Sequence, residues 1–257
     1  GEMLYMQKYN NISIVTGTLN RASYLENLIG NTVEFDERLE LILVDGGSTD
    51  GTIEFIETFV NHPRVKLIKH GQRSSYPHYM NLGVKHASHE LICQWNDDVI
   101  LTHNWQKVFD SIDEEHDAYL FNWKPGTIMD TSDREWFECN SIRDNGWIII
   151  NNADYKYPQM IGEQNGEVVM NYGIYKKDVF RKYGLYNKKY GYYCADGEMA
   201  MRSYYQGCKF KSLLDVKVCV LPAEKRAIMY NEDVQRYYTD CRNYRNENFQ
   251  EEYEYLK

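Results

Sequence analysis

No stretch of this sequence approaches the roughly 20 consecutive apolar residues that a membrane-spanning helix requires. The N-terminus also lacks the charged-then-apolar pattern of a secretory signal, so a soluble, cytoplasmic protein with no integral membrane segment is expected. Positive charge is in deficit: 29 Lys and Arg stand against 38 Asp and Glu, a formal charge of −9. That balance provides no basic stripe for nucleic acid or an anionic membrane, so a polyanionic macromolecule is not expected as a partner. The six cysteines include no C-x-x-C spacing, and Cys93 and Cys219 fall in apolar, strand-like runs, as reduced core residues do. Histidine is missing from the second half, all seven lying between His62 and His116. A histidine base or histidine metal ligand is thereby excluded downstream of the middle.

What is present is a repeating alternation. At 257 residues and 43% hydrophobic content, the chain can build one large α/β domain or two small ones. Ile12–Val15 reads as a buried strand running into the loop Thr16–Arg21, and Ser23-x-x-Glu26 reads as a capping box that opens a helix carrying Leu25, Leu28, Ile29 and Val33 inward. A second strand, Leu39–Val44, ends at Asp45-Gly-Gly-Ser-Thr-Asp-Gly51, where Asp50 or Thr52 can cap a helix predicted over Thr52–Val60. Strand Val65–Ile68, the polar-aromatic turn Ser74–His78, a helix through Asn81, Gly83 and Ala87, and strand Leu91–Trp95 follow. This order predicts a parallel, doubly wound sheet with right-handed crossovers.

Three of those strands end in polar loops, after Val15, Val44 and Trp95, and such a sheet brings its strand ends together at a ligand crevice. Asp45 at a strand end is a candidate contact there; ordering its own loop is the plainer role. The run Leu91–Leu101 breaks at Asn96-Asp97-Asp98. These residues suit a turn or helix cap, and equally a site where hard oxygen ligands hold Mg²⁺ or Mn²⁺ against a diphosphate.

The strings Thr18-Leu-Asn-Arg21, Val44-Asp-Gly-Gly-Ser-Thr-Asp-Gly-Thr52, Asn81-Leu-Gly-x-x-x-Ala87-x-x-Glu90 and Asn96-Asp-Asp98 resemble, in order and spacing, the nucleotide-binding half of family 2 glycosyltransferases. The resemblance covers about residues 10–220. It implies a GT-A fold, Rossmann-like and doubly wound around a mostly parallel sheet. It also implies a nucleotide-diphosphate sugar as donor, UDP favoured, a glycan or glycoconjugate hydroxyl as acceptor, and inversion by direct displacement, as in polysaccharide biosynthesis. On this reading residues 1–257 form one domain, with a nucleotide-binding half at about 10–100, an acceptor-binding and catalytic half at about 101–220, and a helical tail at 221–257. Gly17, Thr18 and Leu19 would line the uridine pocket, Asp45 would meet the base, and Arg73 would lie near the nucleotide, an exposed salt bridge being the alternative. The family's Asp-x-Asp falls on Asn96-Asp97-Asp98: Asp98 would be the metal ligand, with Mn²⁺ or Mg²⁺ as cofactor, and Asp97 would face the ribose or the metal's water shell. The first carboxylate of that motif is an amide here.

The family's Glu-Asp-x-Asp/Glu, followed by arginine, corresponds to Ala195-Asp196-Gly197-Glu198 and Arg202. It implies Asp196 as the catalytic base, with the preceding acid replaced by alanine; a helix cap is the plainer role. Altered Asn96 and Ala195 keep open a catalytically silent sugar- or nucleotide-binding domain. A nucleotidyltransferase would want a glycine- and lysine-rich first loop, and Thr16–Arg21 has one glycine and no lysine.

Elsewhere, Asn104–Ile112 is predicted as an amphipathic helix, Ala118–Asn122 and Val168–Gly173 as strands, and Lys177–Tyr183 as a helix ended by Gly184. Another helix is expected to end at Gly207. Trp123, Trp136 and Trp147 can be core or a sugar-stacking platform. The tail Asn231–Lys257 predicts one or two helices with a tyrosine-bearing face, placed over the acceptor cleft, against another subunit, or simply packed on the domain.

Overall fold

Strands of alternating aliphatic side chains, buried on both faces, assemble one eight-stranded sheet in the computed structural model. It describes residues 1, 3, 8–59, 61–102, 104–125, 128–129, 148–149, 161–164, 167–168, 170–221, 231–249 and 252–257. The sheet contains β1 (Ile12–Thr18), β2 (Leu39–Asp45), β3 (Val65–Lys69), β4 (Leu91–Gln94), β5 (Val99–Leu101), β6 (Ala118–Pro125), β11 (Gly173–Lys176) and β12 (Phe210–Val220). Two small ribbons pair β7 (Ile128–Met129) with β8 (Ile148–Ile149), and β9 (Ile161–Gln164) with β10 (Glu167–Val168). The spatial order is β3-β2-β1-β4-β11-β6-β12-β5, with β3, β2, β1 and β4 parallel, β11 antiparallel between β4 and β6, and β5 antiparallel to β12. This is an α/β fold with a mostly parallel sheet, as the alternation of the first hundred residues predicts.

Strand periodicity divides the core in two. Ile12, Ile14, Leu41, Leu43, Leu91 and Cys93 share one apolar cluster with Leu25, Leu28 and Ile29 of α1 (Ala22–Asn31) and Ile56 of α2 (Thr52–Glu57). Val15, Ile42 and Ile92 point the other way. They meet α3 (Tyr76–His86), α5 (Lys177–Tyr183), α6 (Ala195–Tyr205) and α7 (Asn231–Arg245). A Cβ on Gly83 would collide with Val15, so glycine is what lets α3 lie this close to β1.

Several boundaries differ from expectation. The capping box at Ser23 does not form: α1 begins at Ala22 after Arg21, which makes no side-chain cap. A distant carboxylate, Asp50 Oδ2, accepts the Ala22 N–H instead. Asn104–Ile112 contains only the single turn α4 (Gln106–Phe109), although Trp105, Val108 and Ile112 do face one cluster. The strand placed at Val168–Gly173 instead begins at Gly173, because the chain bends after β10 to bring Met170 and Asn171 carbonyls onto the buried Gln94 amide. α2 is assigned to Glu57 rather than Val60, and Val60, Trp136 and Trp147 lie outside the described residues. Cys93, Cys208, Cys219 and Cys241 are buried, and Cys194 is partly exposed. Among the described residues the tail forms one helix, α7, packed on α6 of the same chain, and further on the Glu254 carbonyl accepts from Leu185 N–H at 2.7 Å. Among the described residues, no helix is long and apolar enough to cross a membrane.

Candidate active site

The carboxyl ends of β2, β1 and β4 lie side by side, so the loops after Asp45, Thr18 and Gln94 share one edge of the sheet. Strand β11 runs the opposite way, which places its start, and Tyr172 before it, at that same edge. The loops after β1 and β2 are interlocked. Asn20 N–H donates to Ser48 Oγ at 2.9 Å, and Thr49 N–H returns to Asn20 Oδ1 at 2.8 Å. Asp50 then joins two helix starts, accepting Ala22 N–H on Oδ2 at 3.1 Å and Thr52 N–H on Oδ1 at 3.0 Å. Asn20 sits at φ 52°, a left-handed conformation that asparagine tolerates well.

Asp45 is fully buried. Its Oδ2 accepts Gly47 and Ser48 N–H at 2.8 and 2.9 Å, and its Oδ1 accepts the Ser48 hydroxyl. It therefore orders its own loop; one lone pair of Oδ1 is left for any further donor. Gly47, at φ 93°, passes so close to the Gly71 carbonyl that a Cβ would be 2.8 Å from its oxygen. Beside this turn stand half-buried Leu19 and the backbone of Arg73, both near Gly46. The exposed Arg73 guanidinium lies over the Tyr192 ring, 4.6 Å from its centre, rather than in a salt bridge. Gly17 packs face to face with Tyr79, whose ring a Cβ would meet at 2.7 Å.

Asn96-Asp97-Asp98 form the turn between β4 and β5. Asn96 Nδ2 reaches the Tyr172 hydroxyl at 3.3 Å. Burial pushes the Asp97 carboxyl up to about 7; Arg21, 3.7 Å away, opposes the rise and the Asp98 charge adds to it. Two adjacent carboxylates are hard oxygen donors, the ligand type that suits a divalent cation held by one or two protein carboxylates plus substrate phosphate. Among the described residues no group of three or more His, Cys, Asp or Glu could hold a metal alone.

Asp196 enters from the other half of the chain. It occupies the first turn of α6, partly exposed, with Oδ1 accepting the adjacent Gly197 N–H at 2.9 Å. Burial raises its carboxyl to about 6. Tyr79 and Tyr172 feel the charges of both acid groups. Burial raises both phenols far above their ordinary value, and the charges of Asp97, Asp98 and Asp196 each push further in the same direction. Sequence reasoning missed these tyrosines: Tyr79 lies just past the polar-aromatic turn, and Tyr172 within a segment read only as strand. Trp123 lies edge-on to Tyr172, with ring centres 6.2 Å apart.

Glu198, two residues past Asp196, has no part in the pocket. It is fully buried, accepting Arg202 Nε and Nη2 at 2.8 and 3.2 Å and the Tyr244 hydroxyl at 2.6 Å. Arg202 in turn donates to the Tyr183 and Leu185 carbonyls.

Acids at the carboxyl ends of a mostly parallel sheet, and a further acid in the first turn of α6 whose charge reaches the same two tyrosines, are in keeping with a glycosyltransferase of the GT-A type. Residues 13–184 match the Glycosyl transferase family 2 profile, and the chain belongs to that family of glycosyltransferases. No curated protein sequence matches the chain significantly. Among solved structures, the mannosyltransferase PcManGT from Pyrobaculum calidifontis, in complex with GDP-Man and Mn²⁺, superposes with a TM-score of 0.61 at 15% identity. That match covers 93% of this chain and 70% of the other. S. aureus TarS 1–349 in complex with UDP gives 0.63 at 16% identity, covering 91% and 65%. The complex of TarS 1–349 with UDP-GlcNAc gives 0.61 at 19%, covering 94% and 68%. At such identities the likeness is one of fold, and the chain spans about two thirds of the TarS fragment.

Proposed function

We propose that this glycosyltransferase moves a sugar from a UDP-sugar to a hydroxyl of a glycan or glycoconjugate with inversion, aided by Mn²⁺ or Mg²⁺. What supports the reading is that the charges of Asp97, Asp98 and Asp196 all bear on the phenols of Tyr79 and Tyr172, while the carboxyl ends of β1, β2 and β4 lie side by side. The nucleotide would lie along Gly17, Thr18 and Leu19 and beside Arg73. Asp45 would act mainly by shaping the turn beneath the base. Asp98 would hold the cation and Asp97 the ribose or the cation's water shell. Bound there, the cation would neutralise the charge gathering on the departing diphosphate.

Asp196 is the proposed base. As the acceptor oxygen attacks C1 of the sugar, its proton passes to the Asp196 carboxylate, while the C1–O bond to phosphate breaks with its electron pair leaving on UDP. The helix N-terminus favours the charged carboxylate, against the burial that raises it. A base near 6 is ionised at neutral pH yet retains useful basicity.

Calorimetry of UDP with and without Mn²⁺, on wild type and Asp98→Ala, tests the donor half. Cooperative binding that the variant loses is expected; equal UDP affinity in all four titrations refutes the metal assignment. Asp196→Asn tests the chemistry: turnover should fall on the order of 10²–10⁴-fold with donor affinity kept. Undiminished turnover would rule out Asp196 as the base and leave it only its first-turn bond to the Gly197 N–H, the N-cap position being Cys194. Absence of turnover in wild type, with donor binding intact, would instead fit a silent binding domain carrying Asn96 and Ala195.

A further inference from the structure

Helix α7 lies beyond the residues that match the family, yet one of its faces grips the segment that delivers Asp196. Asp233, 5% exposed in the first turn of α7, accepts three successive backbone N–H groups: Gly191 on Oδ1 at 2.8 Å, and Tyr192 and Tyr193 on Oδ2 at 2.9 and 3.0 Å. Seven residues on, two turns along the same face, Asp240 Oδ2 accepts the Tyr190 hydroxyl at 2.6 Å. One further turn on, the Tyr244 hydroxyl donates to Glu198 of α6 at 2.6 Å. Between Tyr193 and Asp196 stand only Cys194, at φ 62°, and Ala195. Asp196 is thus suspended between two anchors, the Asp233 carboxylate upstream and the Glu198–Tyr244 bond downstream, both on α7. The gripped loop also touches the donor side, through Tyr192 under Arg73 and the Gly191 carbonyl, which accepts Tyr76 N–H at the start of α3.

We infer that Asp233 is a positioning residue for sugar transfer: by holding the N–H groups of residues 191–193 it sets where the Asp196 carboxylate meets the acceptor hydroxyl. The inference rests on the reading of Asp196 as the base. A carboxylate is the side chain suited to the task, because its two oxygens together offer about four acceptor sites and no donor to oppose an N–H. Asparagine at this position would turn an NH₂ toward one side of the loop and release at least one of the three bonds. A shift of about 1 Å at a reacting group costs on the order of 10²-fold in rate, while binding at a distance from it is little affected.

Steady-state kinetics and donor calorimetry on Asp233→Asn, run well below its melting temperature, test this. Expected is a fall in kcat of about 10- to 10²-fold with donor Kd within about threefold of wild type. Unchanged kcat overturns the proposal, as does a loss of kcat matched by an equal loss of donor affinity, which would mark general damage. Should Asp233→Asn not fold, Gly191→Ala carries the same test. Its Cβ would sit 3.2 Å from Asp233 Oδ2, nudging the loop off the carboxylate while leaving α7 intact. Asp196→Asn measured alongside separates the two ideas. If it is slow and the loop variants are not, only the positioning role falls; if it is fully active, the base assignment itself falls.

Discussion

Replacing Glu198 by glutamine keeps the shape of the side chain and removes one negative charge from a place without water. In the native protein that charge faces Arg202, and neither side chain is exposed to solvent. Glutamine with its oxygen in place of Oε1 still accepts from Arg202 Nε and the Tyr244 hydroxyl, but it turns its NH₂ toward Arg202 Nη2, and the guanidinium is left with the Tyr183 and Leu185 carbonyls and the Tyr253 ring, 4.0 Å away, in place of a counter-charge. Breaking a buried pair by removing one partner costs about 3–5 kcal/mol, because the other charge is stranded. In a chain of this size that corresponds to a drop in Tm of about 6–20 °C. Thermal and urea denaturation of Glu198→Gln measure it directly, and kcat per folded molecule at low temperature should stay within about tenfold of wild type, since the glutamine oxygen keeps the Tyr244 bond that anchors the helix. A variant that melts within a degree or two of wild type yet loses 10³-fold in kcat would refute the reasoning. It would place the base at Glu198 and shift the reading of the motif by two residues.

Turnover should fall as pH drops through about 6. The Asp196 carboxyl is raised above its ordinary value, so its base form disappears at a higher pH than a free aspartate's would; a kcat profile flat from pH 5 to 8 contradicts this. Gly17→Ala should weaken UDP-sugar binding at least tenfold while leaving the melting curve close to native, as its Cβ displaces the Tyr79 ring at the edge of the crevice; unaltered affinity by calorimetry would count against the proposed donor path. Burial alone would raise the Glu40 carboxyl, but hydrogen bonds from Lys66, Ser13 and Ser88 outweigh it and hold the group below the usual carboxylate range. Its folded pKa being depressed, Glu40 stabilises the fold above the unfolded carboxylate pKa of about 4.3 and ceases to as pH falls through the folded value. Glu40→Gln should therefore flatten the acid side of the stability curve, as read from urea midpoints between pH 3 and 7; a slope identical to wild type would show that the cluster contributes nothing.

The half of the molecule that was legible in the sequence is the half built from local rules. Strands β1 to β4 are short aliphatic runs closed by Gly, Asp and Asn, and each run with its turn declares itself within about ten residues. Where the chain relies on distant partners, sequence periodicity is silent. The cap of α1 comes from Asp50, 28 residues away. The bend before β11 is set by the Gln94 amide, 76 and 77 residues upstream. The candidate site divides in the same way. Asp45, Asp97 and Asp98 stand out because strand ends carry them, and Asp196 because a family motif aligns with it. Tyr79, Tyr172 and Asp233 carry no local signature, since a buried tyrosine in a helix and an acid in a helix's first turn are ordinary residues until the fold brings them against something. Trp123 illustrates the limit: the sequence offered core or platform, and the residue is partly buried, edge-on to Tyr172, which leaves both open.

The interlock of the loops after β1 and β2 has a kinetic meaning. With Asn20 and Ser48 bonded to each other across the two loops, and Asp50 tied to both helix starts, the floor on which a nucleotide would lie is assembled before any ligand arrives. Little backbone entropy remains to be lost there on donor capture, so association should follow a single step, first order in donor, without a slow isomerisation behind it.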